Sequence, residues 1–389
     1  MMQALHRVFV RELQRVRTNK IYLATLTLLP AVSILIFASL FSGGIPQKLA
    51  IAVVDEDHSA LSRKVVEMIA ATSEVNVRYM PSNIYEAERL IRQGKAYAMV
   101  VIPRHFERDA MSLSPTSIAT YISGANILTN GLISKGLLSA ISTFTTGYKI
   151  NLLVNQGLAS QQAETEAMAI NFDRHILFNP YTNYNYYLLP FFLPMMLLIF
   201  TTTGTIFAIG SELRDSTAAE WLATANGSLG VALAGKLLPV IMAMSAMSAM
   251  IFGVLFTIVK TPINPFSWTF LIYCIILVLS YISIAIITIS LTTNMRLSLS
   301  LAGGYAVMAF SLSGLTFPSM AMHEAMQWLG HLFPFTYFVR ATINQVVRGT
   351  PIAYSLGDIA SMLGFLLPAI ALLPRLKRIS LNRQYWSKS

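Results

Sequence analysis

Over residues 4–17, Leu5, Val8, Phe9, Leu13 and Val16 recur at helical spacing, while Arg7, Arg11 and Arg15 repeat every fourth residue on another face. The pattern predicts an amphipathic helix within an interface segment of residues 1–20, its apolar face in headgroups and its arginines toward anionic lipid or a cytosolic partner. Ile21 to Phe41 is then an uncharged run of 21 residues. As a helix it is roughly 31 Å long, enough to cross the hydrocarbon layer. A cleavable leader has an apolar stretch of only about 7–15 residues, so the run reads as a retained first span, with a kink expected at Pro30.

From residue 45 to 183 the period changes. Leu49–Val54, Val75–Tyr79, Tyr97–Ile102 and Ser117–Ile122 are short strand patterns. Between them lie a helix over Ala60–Ala71 that Ser59 can cap, and a second helix opened by Asn83 with Glu86 three residues on and closed at Gly94. A long helical stretch runs from Asn126 to Asn155 and continues, more polar, to Asp173. This alternation predicts a small α/β domain inserted after the first span. Pro180 begins the return to the membrane, and Tyr181, Tyr184, Tyr186 and Tyr187 form an aromatic belt of the kind found at a membrane interface.

The remainder, 184–389, is read as spans two to six. Leu188–Ile209 is span two, with Pro190 and Pro194 near its start, and 210–236 is a charged, cytosolic interruption. Leu237–Val259 and Trp268–Leu291 are spans three and four, and Leu297–Thr316 is span five. Residues 317–351 are only partly apolar, with Pro318, His323, Glu324, His331, Pro334, Arg340 and Arg348, and predict a re-entrant hairpin. Ile352–Leu373 is span six, followed by a basic tail over 375–389. The fold class expected is an α-helical membrane protein with six transmembrane helices, a re-entrant hairpin before the last, and an inserted α/β extracytoplasmic domain.

Charge sharpens the topology. The chain has 28 Lys plus Arg against 18 Asp plus Glu, a net +10. The first 20 residues contribute +4 and residues 375–389 contribute +5, whereas 45–183 hold 12 basic and 12 acidic side chains. Basic ends flanking apolar spans place both termini in the cytosol. The excess is therefore topological, and no nucleic-acid partner is expected. With 54% hydrophobic and 12% charged residues the chain lies outside the soluble globular range. A single cysteine, Cys274, excludes an intramolecular disulfide.

Sites for chemistry are scarce. Gly94-Lys95 and Gly235-Lys236 lack the glycine spacing and following hydroxyl of a P-loop, so the chain is not expected to hydrolyse ATP or to be an enzyme. The six histidines form no zinc-type spacing and no G-x-S-x-G occurs, so no metal, cofactor or catalytic residue is expected. Asp55-Glu56-Asp57 reads as a solvated turn that caps the next helix, since no EF-hand spacing follows.

Three groups of residues carry a resemblance. They are Val53 to Ser59 with Leu61-Ser62-Arg63; Glu212 to Thr217 with Glu220-Trp221-Leu222 and Gly235-Lys236-Leu237; and Leu332 to Phe338 with Arg340 and Gly349. Together with the architecture, over nearly the whole length, they resemble an ABC-2 type exporter permease of the branch with a large extracytoplasmic domain. The middle group is similar to a cytosolic signature that opens E-x-x-x-G-T and closes E-x-L. Ser216 stands where the family usually has glycine, and Ala223 to Asn226 where it often has Thr-Pro.

The resemblance implies a multi-pass protein of the bacterial inner membrane that exports an amphipathic or lipidic compound or drug. A separate ABC ATPase subunit would bind ATP and Mg, the chain itself holding no cofactor. A second permease copy, identical or paralogous, and a periplasmic membrane-fusion protein are further implied partners, beside membrane lipid. Residues expected to couple to the ATPase are Arg7, Arg11, Glu212, Arg214, Thr217, Glu220, Trp221 and Lys236. Phe191, Met195, Tyr337 and Phe338 are placed along the substrate path. Three rivals stay open: a non-transporting membrane sensor or assembly protein with an extracytoplasmic binding domain, a lipid enzyme built on His323, Glu324, His331 and Arg340, and a proton-coupled carrier, for which the spans lack the expected carboxylates.

Overall fold

The computed structural model describes residues 1–41, 43–112, 114–167, 177–179 and 183–386. The chain divides into two units, Met1–Gly44 with Ile176–Ser389, and Ile45–His175.

The first unit begins with α1 (Met2–Thr18). Asn19 leaves the helical region, with φ −95° and ψ 102°, and its side chain accepts from the N–H groups of Ile21 and Tyr22. It thus ends one helix and caps the next, making a corner between the amphipathic helix and the first apolar one. That second helix is itself divided into α2 (Lys20–Leu26) and α3 (Leu28–Leu40). The break at Thr27, φ −126° and ψ −69°, is the expected proline effect displaced by three residues. Pro30 has no N–H for the Leu26 carbonyl and its ring would press on that group, so the helix gives way on the N-terminal side of the proline.

The inserted unit contains, in order, β1 (Leu49–Asp55), α4 (Ala60–Ala70), β2 (Val75–Tyr79), α5 (Ile84–Arg92), β3 (Ala98–Ile102), α6 (Phe106–Met111), β4 (Ala119–Ile122), α7 (Ile127–Asn155) and α8 (Ser160–Ala167). The sheet order is β2-β1-β3-β4. β2, β1 and β3 are parallel and β4 runs antiparallel to β3. β3 is buried on both faces, which explains its unbroken apolar sequence. Ala98, Val100 and Ile102 join Val65 and Ile69 of α4 and Ile133 and Leu137 of α7 in one core. Met99 and Val101 join Ala52, Val54 and Ala87 in another.

Both predicted caps form: Ser59 accepts from Ser62 N at 3.0 Å and Asn83 from Glu86 N at 2.9 Å. The acidic turn is knitted into the fold. Asp55 accepts from Ser62 Oγ at 2.8 Å and His58 N at 3.0 Å, and Asp57 from Glu107 N at 3.0 Å. Burial pushes the Asp57 carboxyl up, but bonds from Ser59 and from the N–H groups of Glu107, Phe106 and His105 outweigh it and hold it below the usual carboxylate range.

The chain then returns to the first unit with α9 (Tyr184–Arg214), α10 (Ala218–Thr224) and α11 (Leu229–Gly253), whose C-terminal end widens into a π turn over Val254–Ile258. Next come α12 (Thr269–Thr292), α13 (Met295–Ser311), α14 (Glu324–Gly330) and α15 (Pro334–Thr342), the last again running into a π turn, Ile343–Val347. α16 (Leu356–Gly364) and α17 (Leu366–Leu381) complete the helices. α12 is central, packing on α9, α11, α13, α15 and α17. This explains why its apolar residues run all round rather than along one stripe.

Among the described residues, five helical stretches are long and apolar enough to cross a bilayer: Lys20–Leu40, Tyr184–Arg214, Leu229–Ile258, Thr269–Thr292 and Ile352–Leu381. The fifth expected span, 297–316, is helical only as α13, 17 residues. That is about 26 Å, a turn short of the usual crossing; the chain leaves the helix at Leu312 and turns through Gly314 at φ 85°. The expected hairpin 317–351 comprises α14 and α15, with Pro334 at the first turn of α15, where a missing N–H costs nothing. Pro180, Tyr181 of the aromatic belt, the predicted helical continuation over 168–173 and the last three residues of the tail lie outside the described residues.

Candidate functional site

The residues that build the site come from α1, the end of α9, α10 and the first half of α11. α1 lies on α11 at Gly235, where a Cβ would sit 2.7 Å from Val8 Cβ and 3.0 Å from the Leu5 carbonyl oxygen. No other residue allows that approach. The buried positions of α1 are Ala4, Val8, Glu12 and Val16, a stripe of period four with an acid at its centre.

That acid is the inner end of a buried ion cluster. Glu12 is 1% exposed, Glu212 of α9 and Lys236 of α11 are 0% exposed, and the Lys236 ammonium bridges the two carboxylates, 2.8 Å from Glu212 Oε1 and in contact with Glu12 Oε2. Tyr22 donates its hydroxyl to Glu12 Oε1 at 3.0 Å. Glu212 also takes a two-pronged bond from Arg11, Nη1 at 2.7 Å and Nη2 at 3.2 Å, an ion pair from Arg15, and the Thr217 hydroxyl. Arg15 reaches on to Ser211 Oγ at 3.1 Å and Asp215 Oδ2 at 3.3 Å. Three cations thus enclose two buried carboxylates. Such a cluster adds little to stability against an apolar core of equal volume, but losing one member strands a charge at a cost of about 3–5 kcal/mol. Its arrangement fixes register between α1 and the loop that joins α9 to α11.

Trp221 is buried and closes the cluster from α10. Its indole Nε1 donates to the Ala232 carbonyl at 3.2 Å, and the Lys236 ammonium lies 5.3 Å from its ring centre. Arg7 Nη2 donates to Asn226 Oδ1 at 2.9 Å, tying α1 to the turn before α11. At the rim, Glu220 is 3.9 Å from Arg11 with its side chain 76% exposed. Seven of the eight predicted coupling residues therefore meet around α1. Arg214 stands apart, bonded to Asp215 Oδ1 at 2.9 Å with its guanidinium over the Phe207 ring.

The lipid-facing expectation for the arginine row needs correction: Arg11 and Arg15 turn inward to Glu212. The two departures from the signature also resolve. Ser216 has φ 58°, the left-handed conformation that a glycine there adopts freely. Asn226 and Gly227, at φ 55° and 74°, form the turn where Thr-Pro was the alternative.

The expected coupling set left out Glu12, Tyr22 and Ser211, as well as Arg15 of the basic row and Asp215 of the signature. Glu12 was visible in one respect, as an acid at the centre of an apolar stripe. The four path residues do not converge. Phe191 is buried and lines a cavity at the start of α9; Phe338 is fully buried between Phe270 and Phe335; Met195 is half-buried on the core; and the Tyr337 hydroxyl donates to the His331 carbonyl at 3.1 Å. Of the lipid-enzyme group, His323 caps α14 through Nδ1 and Arg340 is tied to Asp358.

Long apolar helices around α12, with a basic helix locked by buried charges onto a polar loop, define a polytopic membrane protein with a rigid polar platform at one end. The model of the ABC-2 family transporter proteins matches residues 20–373, and the chain belongs to that family. It is thus a permease subunit of an ABC transporter, a kind of protein that works with an ABC ATPase. α1, with Arg7, Arg11, Glu12 and Arg15, precedes the matched stretch. A comparison with curated proteins finds no match.

Proposed function

We propose that this permease is the membrane half of an exporter, moving an amphipathic or lipidic compound or drug outward across the bacterial inner membrane. The ATPase subunit, which supplies the ATP and Mg chemistry, docks on the segment 210–236 and on α1. The chain itself carries no catalytic step. In this reading both termini are cytosolic, α13 is the fifth of six spans with its neighbour 317–351 dipping back into the membrane, and the inserted α/β unit is extracytoplasmic. There it meets a periplasmic partner or gates the exit. Two permease copies enclose the path.

The observation that supports the coupling role is the contrast at the rim: Glu220 is 76% exposed, yet its neighbours Arg11, Glu212 and Trp221 are fixed by buried contacts. A push on such a rim moves α1, α9 and α11 together, which is what transmission between two states requires. The test is co-purification of the intact chain with its ATPase, comparing wild type with Glu220→Arg. An ATPase that co-purifies with wild type and is lost or uncoupled in the variant, while the variant keeps its thermal stability, supports the reading. A well-folded wild type that holds no ATPase overturns it and favours a sensor or assembly protein.

A further inference from the structure

At the start of α9, away from the ion cluster, a cavity of about 280 Å³ opens among Tyr187, Pro190, Phe191, Thr261, Val346 and Arg348, with Asn179 and further apolar residues around them. One π turn supplies a wall directly, and the segment that follows a second π turn, Thr261 with Pro262, supplies another. The one over Val254–Ile258 leads to Thr261, whose N–H returns to the Leu255 carbonyl at 3.0 Å. The other, Ile343–Val347, ends with the Arg348 N–H on the Ile343 carbonyl at 2.9 Å. Wide turns of this kind are less stable than α turns and persist where the surroundings hold them, often at functional sites. Asn264 holds this one, its Nδ2 donating to the carbonyls of Gln345 at 2.9 Å and Val346 at 2.7 Å. The cavity is therefore built by a defined hydrogen-bonded frame and is not a gap between spans.

Its polarity is one-sided. The walls are mostly aromatic and aliphatic, and the Asn179 amide there is already bonded to the Asn183 backbone, but the Thr261 hydroxyl, on a residue 6% exposed, has no hydrogen-bond partner among the described residues. A buried hydroxyl left so costs stability unless a ligand completes it. At the mouth stands Arg348. Among the described residues no carboxylate pairs with it, and Nη1 donates at 3.3 Å to Asn344 Oδ1. Arg348 also faces a polar cleft with Asn344, Arg340 and Asp358, where Arg340 is already neutralised by Asp358. The unneutralised cation thus lies where an apolar chamber meets a polar opening.

We infer that this cavity binds a single-chain anionic amphiphile, its alkyl chain against Phe191, Pro190 and Val346 and its carboxylate or sulfate on Arg348, with Thr261 hydrogen-bonded to the head. The volume selects one chain: it is at the low end of ligand cavities, about 300–1,000 Å³, and too small for the two acyl chains of a phospholipid. Taking the amphiphile as cargo rests on the exporter reading; its binding does not.

The experiment uses the full chain in phosphatidylcholine nanodiscs and a photoreactive diazirine dodecanoate, with its methyl ester as the uncharged control. Expected is labelling of peptides that contain Phe191 or Val346, and a loss of about tenfold for the carboxylate probe in Arg348→Ala with the ester changed less than about twofold, the scale of one charged hydrogen bond. Thr261→Val separates ligand binding from folding: it should weaken the carboxylate probe while raising thermal stability, because it removes an unpartnered hydroxyl. Should Arg348→Ala fail to give a monodisperse protein, Arg348→Gln serves for the same comparison. Labelling scattered over other helices, or equal losses for acid and ester, overturns the inference. Displacement by phosphatidylglycerol at the concentration at which free dodecanoate displaces the probe also overturns it, in favour of a bilayer lipid. Since no ATPase is present, failure here leaves the coupling reading standing, and failure of coupling leaves this site standing.

Discussion

At the scale of single residues, the departures from pattern are the informative ones. Glu12 interrupts an apolar stripe and Lys236 an apolar helix, and the two charges answer one another across α1 and α11. Neither could be paired from the sequence alone, since 224 positions separate them and nothing local fixes which faces meet. Lys236→Met should cost about 3–5 kcal/mol, because Glu12 and Glu212 then share a buried space with less positive charge. Glu12→Gln with Lys236→Met should recover part of that loss, and a double-mutant cycle on thermal unfolding in detergent measures the coupling; strictly additive effects would refute a direct pair. Ser216 predicts the opposite sign. At φ 58° it bears a strain that glycine lacks, so Ser216→Gly should stabilise by about 0.5–1 kcal/mol on the same scale. Asp57 gives a pH effect. Its native carboxyl is held below the unfolded value of about 3.9, so its contribution is present above that value and is lost as pH falls through the lower native one. Protection of the Glu107 amide, its hydrogen-exchange rate relative to the unfolded chain at the same pH, should fall below about pH 4 in wild type, and less steeply in Asp57→Asn.

At the scale of elements, the contact between α1 and α11 depends on one glycine. A Cβ at position 235 meets Val8 Cβ and the Leu5 backbone, and a backbone cannot swing aside as a side-chain tip does. Gly235→Val should therefore cost about 1–3 kcal/mol and loosen α1, seen as faster amide exchange over residues 4–16. Gly204→Ala is the control, because its nearest atom, Leu26 Cδ2, ends a flexible chain. Elements of this kind divide into those legible in the sequence and those that are not. The strands β1 to β3 and their helices were legible because Ser59 and Asn83 are caps whose chemistry is local. The existence of the apolar helices was legible too, being set by run length. The break at Thr27 and the end of α13 at Leu312 were less so, since each depends on how one turn meets its neighbours. The π turn over Ile343–Val347 left no signal, because it is held by Asn264, 81 positions before Gln345, rather than by its own residues alone.

At the scale of the molecule, what matters is which parts can move as one. Glu212 lies in the last turn of α9, Lys236 in α11 and Arg11 in α1, so the cluster joins three helices that the chain itself leaves far apart. A polar platform of this kind was half legible: the signature picked out residues of the loop, and Arg7 and Arg11 of α1 were expected beside them, but nothing in the pattern showed that Arg11 and Arg15 join Lys236 around two buried carboxylates, one of them Glu12 of α1. If the platform transmits the ATPase stroke, rigidity and docking are separable functions, and their variants should differ in kind. Gly235→Val loosens the platform without touching its exposed rim, so the ATPase should still bind while transport per ATP hydrolysed falls. Glu220→Arg reverses a charge on the rim, 76% exposed, and should weaken binding with the fold intact. Stability, ATPase co-purification and the ratio of transport to hydrolysis, measured together on both variants in proteoliposomes, decide the matter. Equal losses of all three in both variants would mean that the cluster serves folding alone, and that the stroke enters the membrane elsewhere.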